Sequence, residues 1–280
     1  MRIFILILLL PFMFISCRKD ESADPKPPAP TSIENIAYGS DPKQQFDLFL
    51  PPSPSVDSTR TMILIHSGGW TSGDKSDYND YIREFQSRFP SYAFVTMNYR
   101  LVTRTSNFFP AQEEDVLACM QFLKAHAAEY KVSGTFILLG ISAGGHLALL
   151  QAYKHNDEVS VIGVVSFFGP TDLKELYQQS DSSLLAGLKG NTSVGEDELE
   201  KTFIASSPLN FVTGNSPPTL LFHGDKDSIV PVRQAELLHA KLDSLGISND
   251  LVIYAGEGHG WFGNNLVDSF NRLDAFLQSL

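Results

Sequence analysis

A short apolar run at residues 136–139 meets Gly140-Ile141-Ser142-Ala143-Gly144 and then a helix-like segment at residues 145–153. A strand that must turn into a helix within so few residues needs glycines where backbones crowd. The residue at its apex is held in a strained conformation, with its side chain lifted above the end of a parallel sheet. Ser142 is therefore the first candidate nucleophile. A bare GxSxG arises by chance roughly once in ten chains of this length, so the surrounding pattern has to carry the weight.

That pattern is an alternation. Two short strands are expected at residues 33–38 and 46–50, separated by the turn-prone Gly39-Ser40-Asp41-Pro42. Apolar runs follow at 62–65, 93–97, 136–139, 161–168, 219–222 and 251–254. Most are too continuous for half-exposed strands and suit a parallel sheet covered on both faces. Helix-like segments lie between and after them, at 78–88, 111–130, 142–155, 232–245 and 266–280. Pro110 fits the first turn of its helix, and Gly246 the stop after Leu245. Strands alternating with helices predict an α/β fold with a mostly parallel central sheet and helices on both faces. Residues 170–214, polar and rich in serine and acidic side chains, break the alternation and read as a small cap-like excursion over the carboxyl edge of the sheet.

A chain of 280 residues that is 43% hydrophobic and 19% charged can bury one large core, so a single catalytic domain is expected over residues 33–280. The formal net charge of -11, with no run of Lys or Arg, argues against a nucleic-acid partner and fits a solvated acidic surface. Only Cys17 and Cys119 occur, so no internal disulfide framework follows. Cys119 lies among Val116, Leu117 and Leu123 and reads as a small buried hydrophobe.

The first residues read as an address. Met1-Arg2 is followed by about 13 apolar residues, short for a spanning helix and suited to a signal peptide over residues 1–16. Phe14-Ile15-Ser16-Cys17 resembles a bacterial lipoprotein cleavage box, with Phe14 where Leu is more usual; that resemblance implies acylation of Cys17 and tethering to the membrane. Arg18-Lys19-Asp20-Glu21 resembles the charged tetrad that routes some Gram-negative lipoproteins to the outer face of the cell envelope. Residues 17–32 read as the acylated Cys17 and a semi-rigid tether with Pro25, Pro27, Pro28 and Pro30, residues 18–32 of which can reach roughly 45 Å at about 3.1 Å per residue. An uncleaved anchor and a secretory peptide without acylation are the alternatives.

Three further sites fall where strands should end. His66-Ser67-Gly68-Gly69-Trp70 is a glycine-rich turn that can aim backbone amides at a developing oxyanion, so Gly68 and Gly69 are candidate donors, with the Ala143 amide completing the hole. His66 reads as a strand-end side chain holding that loop by hydrogen bonds. His223-Gly224-Asp225-Lys226-Asp227 offers two carboxylates, one of which should orient a histidine; charge does not choose between them, and Asp225 can equally cap the turn. Gly256-Glu257-Gly258-His259-Gly260 places a histidine between glycines after the last strand, free to reach the site. The remaining histidines lack partners at metal spacing, and no dinucleotide or phosphate-binding glycine motif occurs, so neither metal nor cofactor is expected.

With these residues in view, the chain resembles an α/β-hydrolase from about Ile33 to Leu280. Within that superfamily it is similar to the small carboxylesterases that include acetylxylan and feruloyl esterases. The resemblance is carried by the Ser142 elbow extended through Gly145-His146-Leu147-Ala148, by Asp47-Leu48-Phe49-Leu50-Pro51, by Asn98-Tyr99-Arg100-Leu101, by Phe109-Pro110-Ala111-Gln112 with Asp115-Val116, and by Ser206-Ser207-Pro208-Leu209. The family pattern HGxxDxxVP falls on His223 to Pro231 and implies Asp227 as the triad acid, with Asp225 spare. The order Ser142, Asp227, His259 is the one that fold expects. Ser67 departs from the more usual glycine but leaves Gly68 and Gly69 in place.

The resemblance implies hydrolysis of short-chain, acetyl-type esters, on a small ester or an acylated carbohydrate, and suits removal of acetyl or feruloyl groups from plant polysaccharides. A formamidase or peptidase on the same triad, and a catalytically silent surface glycan-binding protein, are the competing expectations. Trp70, Tyr78, Trp261 and Phe262 are candidates to stack on sugar rings, with core packing the alternative for at least half of them.

Overall fold

The structure, a computed structural model, describes residues 29–179 and 195–280. The signal peptide, Cys17 and most of the spacer lie outside the described residues, as does the middle of the 170–214 excursion.

Among the described residues, eight strands form one sheet: β1 (Thr31–Ala37), β2 (Gln45–Leu50), β3 (Thr61–Ile65), β4 (Ala93–Met97), β5 (Phe136–Ile141), β6 (Val161–Phe167), β7 (Thr219–Gly224) and β8 (Asn249–Tyr254). Their order is β1-β2-β4-β3-β5-β6-β7-β8. β1 pairs antiparallel with β2, and β2 antiparallel with β4; every other pairing is parallel. The helices are α1 (Asn79–Arg88), α2 (Ala111–Ala125), α3 (Ala127–Tyr130), α4 (Ala143–Lys154), α5 (Leu173–Gln179), α6 (Glu196–Ser206), α7 (Arg233–Ser244) and α8 (Gly263–Ser279).

The continuous apolar runs are explained by burial from two sides. Ile63 and Ile65 of β3, Leu138 of β5 and Val164 of β6 point into one core with residues of α2, α4 and α7. Their neighbours Met62, Leu64, Ile137, Leu139 and Val165 point into the other, against α1 and α8. With a side-chain period of two and both faces covered, no position along these strands is left for a polar residue to reach water. Cys119 is buried in the α2 core among Val116, Met120 and Leu123, as its neighbours in sequence suggested.

Differences from expectation sit at element ends. The helix expected over 111–130 divides at His126, whose ring Nδ1 lies 2.8 Å from the Phe122 carbonyl oxygen and whose backbone leaves helical geometry. Pro110 is the residue before α2 rather than its first, and α8 begins at Gly263, three residues ahead of the first apolar residue of its stripe, Leu266. Gly246 stands at φ 69 after α7, and Ile247 N–H reaches back to the Leu242 carbonyl at 3.0 Å, a glycine-dependent stop.

The described parts of the excursion are helical and join the body of the domain. Leu173 and Leu176 of α5 and Phe203 of α6 enter the same core as α4. Gln234 of α7 accepts the Thr171 and Asp172 amides at 2.9 and 2.8 Å.

Candidate active site

The parallel strands β3, β5, β6 and β7 all end on one edge, and each expected site residue lies just past one of those ends or past β8. Ser142 follows β5 at φ 54 and ψ −116, a left-handed conformation unusual for a residue with a side chain, and α4 begins at the next residue. Such a conformation costs roughly 1–3 kcal/mol and persists only where neighbours impose it. They do: Ser142 N–H donates to the Phe167 carbonyl at 2.8 Å, and the Ser142 carbonyl accepts from His146 N–H at 3.0 Å, closing the first turn of α4. The two flanking glycines serve close approach rather than an unusual φ. A Cβ on Gly140 would overlap the Gly144 carbonyl, and one on Gly144 would overlap the Ile65 carbonyl at the end of β3. The strain falls on the serine.

His259 lies in the loop after β8. Its Nε2 is 2.9 Å from Ser142 Oγ and its Nδ1 is 2.7 Å from Asp227 Oδ2. Asp227, buried beyond the end of β7, also accepts the Ile229 and Val230 amides on Oδ1, both at 2.9 Å. Burial pushes its carboxyl up. Hydrogen bonds from His223 and His259, the His259 charge and the Val230 amide outweigh that and hold it well below the usual carboxylate range. An ionised Asp227 fixes the proton of His259 on Nδ1, leaving the Nε2 lone pair to receive the Ser142 hydroxyl proton. The Phe168 ring, 4.4 Å from that of His259, covers the imidazole.

The two carboxylates separate cleanly. Asp225 touches neither Ser142 nor His259; its Oδ1 accepts the Gly256 amide at 2.6 Å. Lys226 N–H donates to the Glu257 carbonyl at 2.8 Å, so the acid loop and the histidine loop are bound to each other along their backbones. A Cβ on Gly224 would collide with the Glu257 carbonyl at this junction.

The turn after β3 has Gly68 at φ 107, Gly69 at φ 57 and Trp70 at φ 62. The Gly68 carbonyl accepts from the Thr71 and Ser72 amides at 3.1 and 3.0 Å, coiling the turn, while no acceptor among the described residues takes the N–H of Gly68, Gly69 or Ala143. His66 is the internal brace expected of it: its ring lies parallel to Tyr99 at 4.2 Å, Nδ1 is 2.7 Å from the Ser67 carbonyl oxygen, and it does not contact Ser142. Burial brings its pKa down.

Two supports were not singled out from sequence. His146, one helical turn after Ser142, accepts from the Trp70 indole N–H on Nδ1 at 3.3 Å and donates from Nε2 to the Ser206 carbonyl at 2.7 Å, so one buried ring joins the glycine turn, the serine helix and the end of α6. His223, at the end of β7, donates from Nε2 to the Val230 carbonyl at 2.7 Å and lies 3.4 Å from Asp227 Oδ2. The signal for His146 was its place at i+4 from the serine; nothing local marked its partner Trp70. Of the four aromatics considered for sugar stacking, Trp70, Tyr78 and Trp261 are buried and only Phe262, 81% exposed, faces solvent.

Known proteins resemble the chain in sequence and in fold. The chain is 28% identical over 236 residues to the probable carboxylic ester hydrolase LipM of Mycobacterium tuberculosis, covering 79% of this chain and 53% of that protein. It is 25% identical over 244 residues to the isoprenylcysteine alpha-carbonyl methylesterase ICME of Arabidopsis thaliana, covering 80% and 56%. It thus spans little more than half the length of these relatives. A truncated carbohydrate esterase from gut microbiota superposes with a TM-score of 0.72 at 23% identity, covering 89% of this chain and 100% of that one. Esterase B of Lactobacillus rhamnosus superposes at 0.71 and 22%, covering 89% and 86%. The fold is that of the α/β-hydrolases. A sequence model of the BD-FAE family matches residues 46–242, more than half of the chain and inclusive of Ser142 and Asp227, and the chain belongs to that family.

Proposed function

We propose that the protein is a serine carboxylesterase. The observation that carries this reading is the unbroken hydrogen-bond chain from Ser142 Oγ through His259 to Asp227. His259 takes the Ser142 proton as the oxygen attacks the ester carbonyl, and Asp227 stabilises the imidazolium that forms. The amides of Gly68, Gly69 and Ala143 receive the oxyanion. His259 then gives its proton to the departing alcohol, and water regenerates the serine by the reverse sequence. Each oxyanion donor is worth about 3–4 kcal/mol to the transition state.

The substrate proposed is a short-chain, acetyl-type ester, on a small molecule or on a plant polysaccharide. The carbohydrate esterase among the structural neighbours supports this, as does the address read from residues 1–21. Acylation of Cys17 and a tether over residues 17–32 would hold the hydrolase domain at the outer membrane or cell surface. Hydrolysis of p-nitrophenyl acetate, release of acetate from acetylated xylan, and N-formylkynurenine turnover, each with wild type and Ser142→Ala, test the reading. Acetate release that disappears in the variant supports it; turnover of the amide substrate alone would move the protein to the amidase class, and glycan binding without turnover to the silent class.

A further inference from the structure

An apolar cavity of about 170 Å³ lies between α1 and α8, beneath the ends of β5 and β6. Eight of its fourteen lining residues are aromatic, which decides the kind of occupant it favours. Two of its three lining hydroxyls and its indole N–H are already engaged: Tyr78 Oη donates to the Ile65 carbonyl at 3.0 Å, and Ser269 Oγ accepts from Trp261 Nε1 at 2.9 Å and donates to the Asn265 carbonyl at 2.8 Å. A cavity with so few polar groups to spare does not hold water well and takes up an apolar guest instead.

Its walls are continuous with the triad. Ile141, which lines it, is the residue before Ser142; Gly260, which also lines it, is the residue after His259. Phe168 presents its ring both to the cavity and to the His259 imidazole. Phe262, the most exposed large hydrophobic side chain among the described residues, stands on the rim. Resting on the esterase reading above, we propose that this cavity seats an apolar arm of the ester substrate, about six carbons in size. The scale follows from a cavity of roughly 150 Å³ sufficing for a benzene ring. An acetylated sugar leaves the cavity empty, so the substrate class widens to esters carrying an apolar group on the acyl or the alcohol side.

Two ester series, measured with the full chain, identify that side: p-nitrophenyl acetate, butyrate, hexanoate and decanoate, and methyl, butyl, hexyl and decyl acetate. Burial of each methylene is expected to raise kcat/KM about fourfold, up to about six carbons and no further. A rise in the acyl series assigns the cavity to the acyl arm, and a rise in the alkyl series to the leaving group. Leu266→Trp, which fills the cavity from α8, is expected to lower the six-carbon to two-carbon ratio at least tenfold. Phe262→Ser, at an exposed position that does not threaten folding, is expected to lower it severalfold and decides the matter if Leu266→Trp does not fold. Flat profiles in both series with acetate still turned over, or ratios unchanged in the folded variants, would overturn the proposal while leaving the esterase reading intact. Absence of turnover on every ester, or turnover that survives Ser142→Ala, would instead remove the esterase reading on which it rests.

Discussion

Replacing His146 with glutamine should flatten the acid side of the stability profile. The His146 ring is fully buried, accepting from Trp70 on Nδ1 and donating from Nε2 to Ser206, which is possible only for the neutral ring. Burial brings its pKa down from 6.5 to about 4, against the Ser206 hydrogen bond and the Glu113 charge, which raise it, and with the Lys154 charge, which lowers it. The unfolded chain takes up a proton near 6.5, whereas the folded one resists until about 4, so stability is complete above the unfolded value and is lost as pH falls through the window between them. Integrated from pH 7 to 4.5, this linkage amounts to about 2 kcal/mol. Glutamine keeps one donor and one acceptor and carries no titrating group. Urea unfolding of both proteins at pH 7 and 4.5, followed by tryptophan fluorescence, should therefore show the variant losing about 2 kcal/mol less than wild type over the same drop. Asp227, Glu113 and His66 titrate in both proteins and cancel in the difference. Equal losses would show that His146 is not held neutral by its setting.

Other substitutions separate the parts of the site. Asp227→Asn presents an amide N–H to His259 Nδ1 and forces the proton onto Nε2, so kcat should fall about 10³–10⁴-fold with the circular dichroism spectrum retained; a loss below tenfold in steady-state kinetics would contradict the assigned orientation. Gly144→Ala drives a Cβ into the Ile65 carbonyl, backbone that cannot yield without moving β3, and thermal unfolding should show a clear loss of Tm together with loss of activity; an unperturbed Tm would refute the crowding account. Asp225→Ala removes the acceptor of the Gly256 amide and should loosen the histidine loop, lowering kcat severalfold while Asp227 still holds His259. A fall as deep as that of Asp227→Asn would mean that the two carboxylates share the triad role.

The central strands β3, β4 and β5 were legible because they are covered on both faces, where burial writes an uninterrupted apolar run such as Met62-Ile63-Leu64-Ile65. The serine turn was legible because backbone crowding at Gly140 and Gly144 admits no side chain. Helix ends were harder: α8 starts at Gly263, ahead of its apolar stripe, and the bend at His126 depends on one ring nitrogen finding the Phe122 carbonyl. Pairings distant in sequence were not readable at all. Trp70 and His146 are 76 positions apart, and an aromatic residue in a glycine turn looks the same whether it faces a sugar or the core. Here the core takes Trp70, while Phe262, in the loop of His259, stays in water.

Ser142, made nucleophilic by His259 and Asp227, is predicted to form a covalent intermediate. Incubation with a p-nitrophenyl alkylphosphonate, followed by intact mass and peptide mapping, tests it directly. One phosphonyl group per chain, located on Ser142, formed far more slowly in His259→Ala and absent from Ser142→Ala, is the predicted result. Labelling at another residue, or none in a folded protein, would contradict it.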